Sequence, residues 1–276
     1  MTVYFLGAGP GAADLITVRA ARILARCRTC LYAGSLVPDE VLDLLPADAV
    51  RIDTARMPLD EIVAHLAAAD AAGHDVARLH SGDLSLYSAL TEQQRRLREL
   101  GIDCRLVPGV PAFAAAAAAL DVELTVPGIG QSLLITRVST LSTDMPPGED
   151  LASLARSGVT LALHLAAHRT AQIVEALAPH YGADCPTATV AFASRADEQI
   201  VRARLADLPD ALGAAGITKT AVIFVGRVLA PEASSEALES YLYSHARMRK
   251  LRTDARHAAG VPVSSDADSV DAAAHE

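Results

Sequence analysis

The sequence has no tryptophan, and aromatic residues make up 4% of it although apolar residues make up 51%. A chain rich in Ala, Leu and Val and nearly free of aromatics suits helices packed on a sheet better than a β-sandwich, so an α/β protein is expected. Positive charge is also scarce: 24 Lys and Arg against 33 Asp and Glu leave a net charge of −9. Nucleic-acid binding needs a basic face that displaces counterions from phosphates; none is visible, so no nucleic-acid partner is expected. Long hydrophobic runs are missing. The longest, Val110 to Leu120, is about half of a ~20-residue membrane span, and the N-terminus opens on a strand pattern without a basic leader. A cytoplasmic protein with no membrane contact is expected. Four cysteines are few for 276 residues. Cys27 and Cys30 are closely spaced, but Cys104 and Cys185 stand alone and a zinc site needs a second ligand pair, so no metal is expected.

What is there begins with a strand, a glycine turn and a helix. Thr2 to Leu6 is a β-branched and aromatic run that stops at Gly7-Ala8-Gly9-Pro10-Gly11, and an amphipathic stretch starts near Asp14. Up to residue 128 the chain alternates strand-like and helical runs. The strands are Val3–Leu6, Thr29–Tyr32, Ala49–Ile52, Asp75–His80 and Cys104–Val107; the helices are Ala13–Arg26, Pro38–Leu45, Leu59–Ala72, Ala89–Leu100 and Val110–Leu120. Repeated β-α units imply a mostly parallel sheet. The alanine-rich Phe113–Leu120 reads as a helix packed close to its neighbours.

The pattern breaks at Thr125-Val126-Pro127-Gly128-Ile129-Gly130. This predicts a first α/β domain over 1–128 with glycine-rich turns and a second α/β domain over 129–231. In the second, strands Ser132–Arg137, Val159–Leu165, Thr187–Phe192, Glu198–Ala203 and Thr220–Gly226 accompany helices Glu149–Arg156, Thr170–His180 and Leu208–Leu212. Thr140–Gly148, with two prolines, reads as a mobile loop over a cleft. Residues 232–276 read as a final helix carrying the basic run Arg247–Arg252, most simply a solvated face, followed by a disordered tail over Gly260–Glu276.

In a parallel sheet the turns after strands one, four and five share one edge, where ligands dock. Here those turns are Gly7-Ala8-Gly9-Pro10-Gly11, Ser81-Gly82-Asp83 and Pro108-Gly109-Val110-Pro111, so a pocket lined by backbone is expected. Read as a dinucleotide fingerprint, Gly7-x-Gly9-x-x-Ala12 nearly fits. Pro10, however, removes an amide donor, and Leu31-Tyr32-Ala33-Gly34-Ser35 has no carboxylate for a ribose hydroxyl. An NAD(P)-dependent oxidoreductase stays open as the alternative, as does a non-catalytic ligand-binding module that acts as a sensor or scaffold.

Four motifs carry a resemblance: Gly7-Ala8-Gly9-Pro10-Gly11, Ser81-Gly82-Asp83-Leu84-Ser85-Leu86-Tyr87, Val107-Pro108-Gly109-Val110, and Val222-Ile223-Phe224-Val225-Gly226-Arg227-Val228-Leu229. In this order they resemble the tetrapyrrole methylase family over about residues 1–231. Within it, Leu31-Tyr32-Ala33-Gly34-Ser35-Leu36-Val37 and Asp53-Thr54-Ala55-Arg56-Met57 resemble the branch that methylates C11 of precorrin-4 in cobalamin biosynthesis. The resemblance implies two α/β domains with S-adenosylmethionine in the cleft between them, a precorrin-4 substrate and a homodimer. It implies that Pro10 faces the cofactor, that Ser81, Gly82, Asp83 and Leu86 hold its methionine end, and that Pro111 and Ala112 complete the first wall. Leu165, Ala193, Thr220 and Ala221 would enclose adenine.

The chain departs from the family pattern in three places: Gly82-Asp83-Leu84 stands where Gly-Asp-Pro is usual, Ala12-Ala13 where Asp-Pro is common, and Ala33 where uroporphyrinogen methylases carry an acid. Ala33 leaves that sister activity without its carboxylate. A cobalt-bearing substrate, or another ring carbon, stays open. No nucleophilic side chain is needed, and no general base is identifiable. A polycarboxylate substrate meeting an acidic protein requires local cations. His80, Arg78 and Arg169, together with Met57 from the branch motif, are the expected substrate residues, and Arg56, Arg137 and His168 are further candidates.

Overall fold

The structure, a computed structural model, describes residues 2–139, 144–231, 233–238 and 244–258. The first half alternates strands β1 (Val3–Gly7), β2 (Thr29–Tyr32), β3 (Val50–Asp53), β4 (Val76–His80) and β5 (Cys104–Val107) with helices α1 (Val18–Leu24), α2 (Asp39–Leu42), α3 (Leu59–Ala71), α4 (Leu90–Glu99) and α5 (Ala112–Leu120). Its strands are all parallel, in the order β3-β2-β4-β1-β5. The α1 residues Ala20, Ile23 and Leu24 pack on one face with Leu6, Ala77 and Leu79. On the other face, α3 and α4 bury Leu66 and Leu97 against Val3, Phe5 and Leu31. From β1 the chain winds towards β2, and from β4 it winds towards β5. The reversal between these neighbouring strands opens a crevice at their carboxyl ends, where the glycine turns stand.

The expected helix over Ala13–Arg26 is divided. Ala13–Leu15 form a 3-10 turn, and α1 starts only after Thr17, whose hydroxyl accepts the Ala20 N–H at 3.2 Å. Thr17 is the N-cap, so the helix begins where a side chain satisfies its free amide.

The second half contains β6 (Leu133–Arg137), α6 (Leu151–Ala155), β7 (Thr160–His164), α7 (Thr170–Tyr181), β8 (Pro186–Ala191), β9 (Gln199–Arg204), α8 (Leu208–Ala214) and β10 (Ala221–Val225). They form a mixed sheet, β6-β7-β10-β8-β9, in which only β6 and β7 are parallel. Helices α6, α7 and α8 cover one face through Leu151, Ile173, Leu177, Leu208 and Leu212. The other face is covered from the first half: Ala115, Ala116, Ala117 and Leu120 of α5 pack on Ala188, Val190, Val222 and Phe224. Small side chains let α5 approach that sheet, which explains its run of alanines.

The single final helix expected after Pro231 is two described helices, α9 (Ala233–Glu236) and α10 (His245–Ala258). Residues 140–143 of the expected loop, and the tail from Gly260, lie outside the described residues; 144–148 contain no helix or strand. No helix among the described residues is long and apolar enough to cross a membrane, and no group of three metal-ligating side chains is found among them. Cys27 and Cys30 are buried; burial pushes both thiols up to about 12.

Candidate functional site

Three glycine turns meet at the carboxyl edge of the first sheet. The Gly9 N–H donates to the Gly82 carbonyl at 3.2 Å, and the Gly82 N–H returns a bond to the Gly9 carbonyl at 2.7 Å. A Cβ on Gly109 would stand 2.3 Å from the Gly82 carbonyl oxygen and 2.8 Å from Gly7 Cα; one on Gly7 would stand 2.5 Å from the Gly109 nitrogen. Only glycine permits backbone to approach backbone this closely. Asp83 clasps the assembly. One carboxylate oxygen accepts the Gly109 N–H at 2.8 Å, and the other accepts the Ser85 N–H at 2.9 Å and the Ser85 hydroxyl. Burial alone would raise its pKa, but the bonds from the Ser85 hydroxyl and the Gly109 amide outweigh that and hold it below the ordinary carboxylate value.

The facing wall belongs to the second sheet and contains no glycine turn. Leu165 follows β7, Phe192 follows β8 and Thr220 precedes β10, with φ of 53°, 52° and 52°. The Phe192 N–H donates to the Thr220 carbonyl at 2.9 Å, fixing two of these left-handed residues together. A non-glycine residue in this region costs about 1–2 kcal/mol, so the second sheet carries backbone strain where it meets the first. Tyr87, with φ 54°, is a strained residue of the first wall. The walls are also bonded directly. The Ala12 N–H donates to Ser194 Oγ at 3.0 Å, and a Cβ on Gly11 would collide with Arg195 Cγ at 2.3 Å.

Between the walls lies a cleft of about 550 Å³, within the ~300–1,000 Å³ usual for small-molecule sites. Pro10, Ser81, Gly82, Asp83, Leu86, Pro111 and Ala112 line it from the first wall, and Leu165, Ala193, Thr220 and Ala221 from the second. The structure thus brings together every residue expected around the cofactor. It also adds Leu36, Tyr87, His164 and Lys219 to the lining. Among the lining residues, Leu36 is 44% exposed and Leu165 57%, so the cleft presents large apolar groups to an incoming ligand.

The expected substrate residues lie elsewhere. Arg78 and His80 are in the interior, 5% and 7% exposed, because β4 is a central strand covered on both faces. Arg78 donates through Nε to Gln93 Oε1 at 3.1 Å and through Nη1 to Thr54 Oγ1 at 2.8 Å; burial lowers its pKa to about 10. His80 lies against Phe5, with ring centroids 5.7 Å apart, and its Nε2 has no partner among the described residues. Burial, then the nearby Arg78, push His80 down to about 4, so it is neutral at pH 7. Met57 packs at the edge of the Phe5 and Leu31 core, and Arg169 ends the 3-10 turn before α7. None of these four lines the cleft, whereas His168 does.

His164, at the end of β7, is one of the cleft residues that sequence reasoning passed over. Its ring is flanked by Tyr87 at 5.7 Å and by Phe113 at 6.5 Å, and its Nε2 is buried without a hydrogen-bond partner among the described residues. Burial holds its pKa below the ordinary value, so the imidazole is neutral at pH 7. No motif marks it: a histidine closing an apolar strand usually belongs to the core.

Fold and site define a class, an α/β protein whose two sheets close on a ligand cleft built from backbone turns and apolar side chains. The chain belongs to the tetrapyrrole (corrin/porphyrin) methylases, whose family profile matches residues 2–209. It is 64% identical to a precorrin-4 C(11)-methyltransferase of Rhodococcus erythropolis, over 90% of this chain and 99% of that one. Among solved structures, a cobalt precorrin-4 methyltransferase of cobalamin biosynthesis superposes with a TM-score of 0.81 at 37% identity, covering 83% of this chain and 96% of the other. The uroporphyrin-III C-methyltransferase of Thermus thermophilus in complex with S-adenosylhomocysteine gives a TM-score of 0.69 at 29% identity, covering 83% and 93%.

Proposed function

We propose that this protein transfers a methyl group from S-adenosylmethionine to C11 of precorrin-4, giving precorrin-5 and S-adenosylhomocysteine in cobalamin biosynthesis. The observation that carries this is the 64% identity, over nearly the whole of both chains, to a relative of that name. The cobalt-precorrin enzyme is more distant at 37%, which favours the metal-free substrate over the cobalt-bearing one. The relatives and structures named above are all tetrapyrrole methyltransferases, which does not favour a dinucleotide oxidoreductase.

The cleft suits the cofactor. Glycines whose Cβ atoms would overlap neighbouring backbone leave a bare cradle, and the apolar lining matches an adenosine and a thioether chain. We assign the methionine end to Ser81, Gly82, Asp83 and Leu86, the rest of the first wall to Pro10, which faces the cofactor, and to Pro111 and Ala112, and adenine to Leu165, Ala193, Thr220 and Ala221. When bound, the sulfonium supplies an electrophilic methyl group. The chain's part is positional: rigid turns hold the reactants in line, and the apolar walls exclude water while positive charge disappears in the transition state. Because Asp83 is engaged by Gly109 and Ser85, it orders the cradle and carries no proton. With Arg78 and His80 in the interior, His168 and Lys219 on the cleft lining are the groups assigned to the substrate carboxylates.

The proposal extends to a homodimer in the cytoplasm and to a division of the chain near residue 128, tested by light scattering, cell fractionation and limited proteolysis. The first experiment is thermal denaturation with S-adenosylhomocysteine, NAD or NADP at matched concentrations. A ligand at about 100 times its dissociation constant adds roughly 2.7 kcal/mol, or several degrees. Stabilisation by S-adenosylhomocysteine alone is expected, followed by identification of the methylated carbon in the product by NMR. Stabilisation by a dinucleotide alone would sink the methylase reading.

A further inference from the structure

We infer that His164 accepts the proton released by the methyl transfer, an inference that rests on the methylase reading above. C11 is the carbon next to a ring nitrogen. As it bonds to the methyl carbon, the S–CH3 bond breaks and its electron pair goes to sulfur. C11 becomes saturated and the ring becomes a pyrrolium cation, whose N–H proton must leave to give the neutral product. In a cleft that excludes water, that proton needs an acceptor on the wall.

Among the described residues, His164 meets the requirements. Its imidazole lines the cleft, and its Nε2 is committed to no internal partner. A buried polar atom left without a hydrogen bond is unfavourable, so this nitrogen is open to a partner brought by the substrate. The ring is held from both sides by Phe113 of α5 and by Tyr87, which is 45% exposed and strained at φ 54°. Tyr87 is therefore the neighbour that an entering substrate can displace to reach Nε2.

The other titratable groups of the cleft are less suited. Asp83 is bonded to Gly109 and Ser85, Lys219 is assigned to the substrate carboxylates, and His168 is on the exposed face of its turn. His80, the second histidine with an unpartnered nitrogen, is sealed behind Phe5. Facing His164 are Arg137, its register partner on β6, and the Tyr87 phenol. The Arg137 guanidinium donates to the Val138 and Asp144 carbonyls, and on the β10 side Ile223 pairs with Leu163 and brings no charge.

The test compares wild-type protein with His164→Asn, measuring turnover of S-adenosylmethionine and precorrin-4 against pH, with S-adenosylhomocysteine thermal shifts as the control. His164→Asn is expected to keep the thermal shift and KM within a few-fold, to lose about 10²–10⁴ in kcat, and to lose the acid limb of the wild-type kcat/KM profile. That limb is expected below the ordinary imidazole value of about 6.5, because burial disfavours the charged ring. A kcat within threefold of wild type overturns the assignment, as does a lower kcat with the acid limb retained. Should His164→Asn not fold, the wild-type profile still decides: a limb above 6.5, or none, overturns it. Wild-type protein with neither thermal shift nor turnover overturns the methylase reading itself, whereas a shift with turnover and the wrong profile removes only His164.

Discussion

Gly109 shows what a single residue decides. Its missing side chain lets the turn after β5 touch the turns after β1 and β4, and no rotamer change can relieve an overlap with a carbonyl oxygen 2.3 Å away. Gly109→Ala should lower stability by roughly 1–3 kcal/mol, as overpacking does, and should abolish the S-adenosylhomocysteine thermal shift; urea denaturation with and without that ligand measures both. His80 makes a prediction of opposite chemistry. The unfolded chain protonates this histidine near 6.5, but the folded protein does so only at about 4. Between those values the unfolded state binds more protons, so stability falls as pH drops through the window, by on the order of 3 kcal/mol for a shift of this size. His80→Gln should flatten that part of the curve, and stability of the two proteins from pH 7 to pH 4 checks it. Both glycine turns and the histidine stand in plain motifs, yet only one set of roles was legible. A Gly-x-Gly turn announces close approach, whereas the side chain of a strand residue such as His80 is aimed by the neighbouring strands.

At the scale of elements, the walls are held in register by α5 and by the turn after β8. The sequence shows α5 as an alanine-rich helix packed close to something, but that something is the second sheet, through Ala188 and Phe224. The turn after β8 docks on the first glycine turn through the bond from the Ala12 N–H to Ser194 Oγ. Ser194→Ala removes this acceptor and should cost about 1 kcal/mol. Because the bond spans the two walls beside the cleft, weaker S-adenosylhomocysteine affinity should accompany the loss, with KM for precorrin-4 less affected. Titration calorimetry and denaturation together check this. Nothing in Phe192-Ala193-Ser194-Arg195 signals such a contact, because Ser and Arg are ordinary loop residues. The strained φ of 52° at Phe192 and 66° at Ser194 is invisible in a sequence that has no glycine there.

For the whole molecule, a ligand lying between the sheets should stabilise both of them at once. Hydrogen exchange with S-adenosylhomocysteine is expected to slow at Gly82 and Gly109 on one wall and at Phe192 and Ala221 on the other. Protection confined to one wall would contradict a shared cleft. The net charge of −9 opposes a polycarboxylate at long range, so binding depends on the placement of a few cations. Of the groups expected near strand ends, Arg78 and His80 are inside and His168 is on the cleft lining, where the structure adds Lys219.

Local residue patterns by themselves determined the β-α alternation, the parallel first sheet and the three glycine turns at its edge. Each depends on features a short stretch carries: apolar periodicity, turn glycines and a proline that removes an amide. The individual lining residues of the first wall came from the resemblance that those motifs carry, not from the glycine pattern itself. Leu165, Ala193, Thr220 and Ala221 of the second wall were likewise named by that resemblance, but tertiary structure decided its backbone, where Leu165, Phe192 and Thr220 take left-handed conformations that only the surrounding strands impose. It also decided that Arg78 and His80 face the interior and that His164 lines the cleft with a nitrogen unbonded. Burial and the sign of φ at a non-glycine residue are set by distant partners, which a stretch of sequence does not contain.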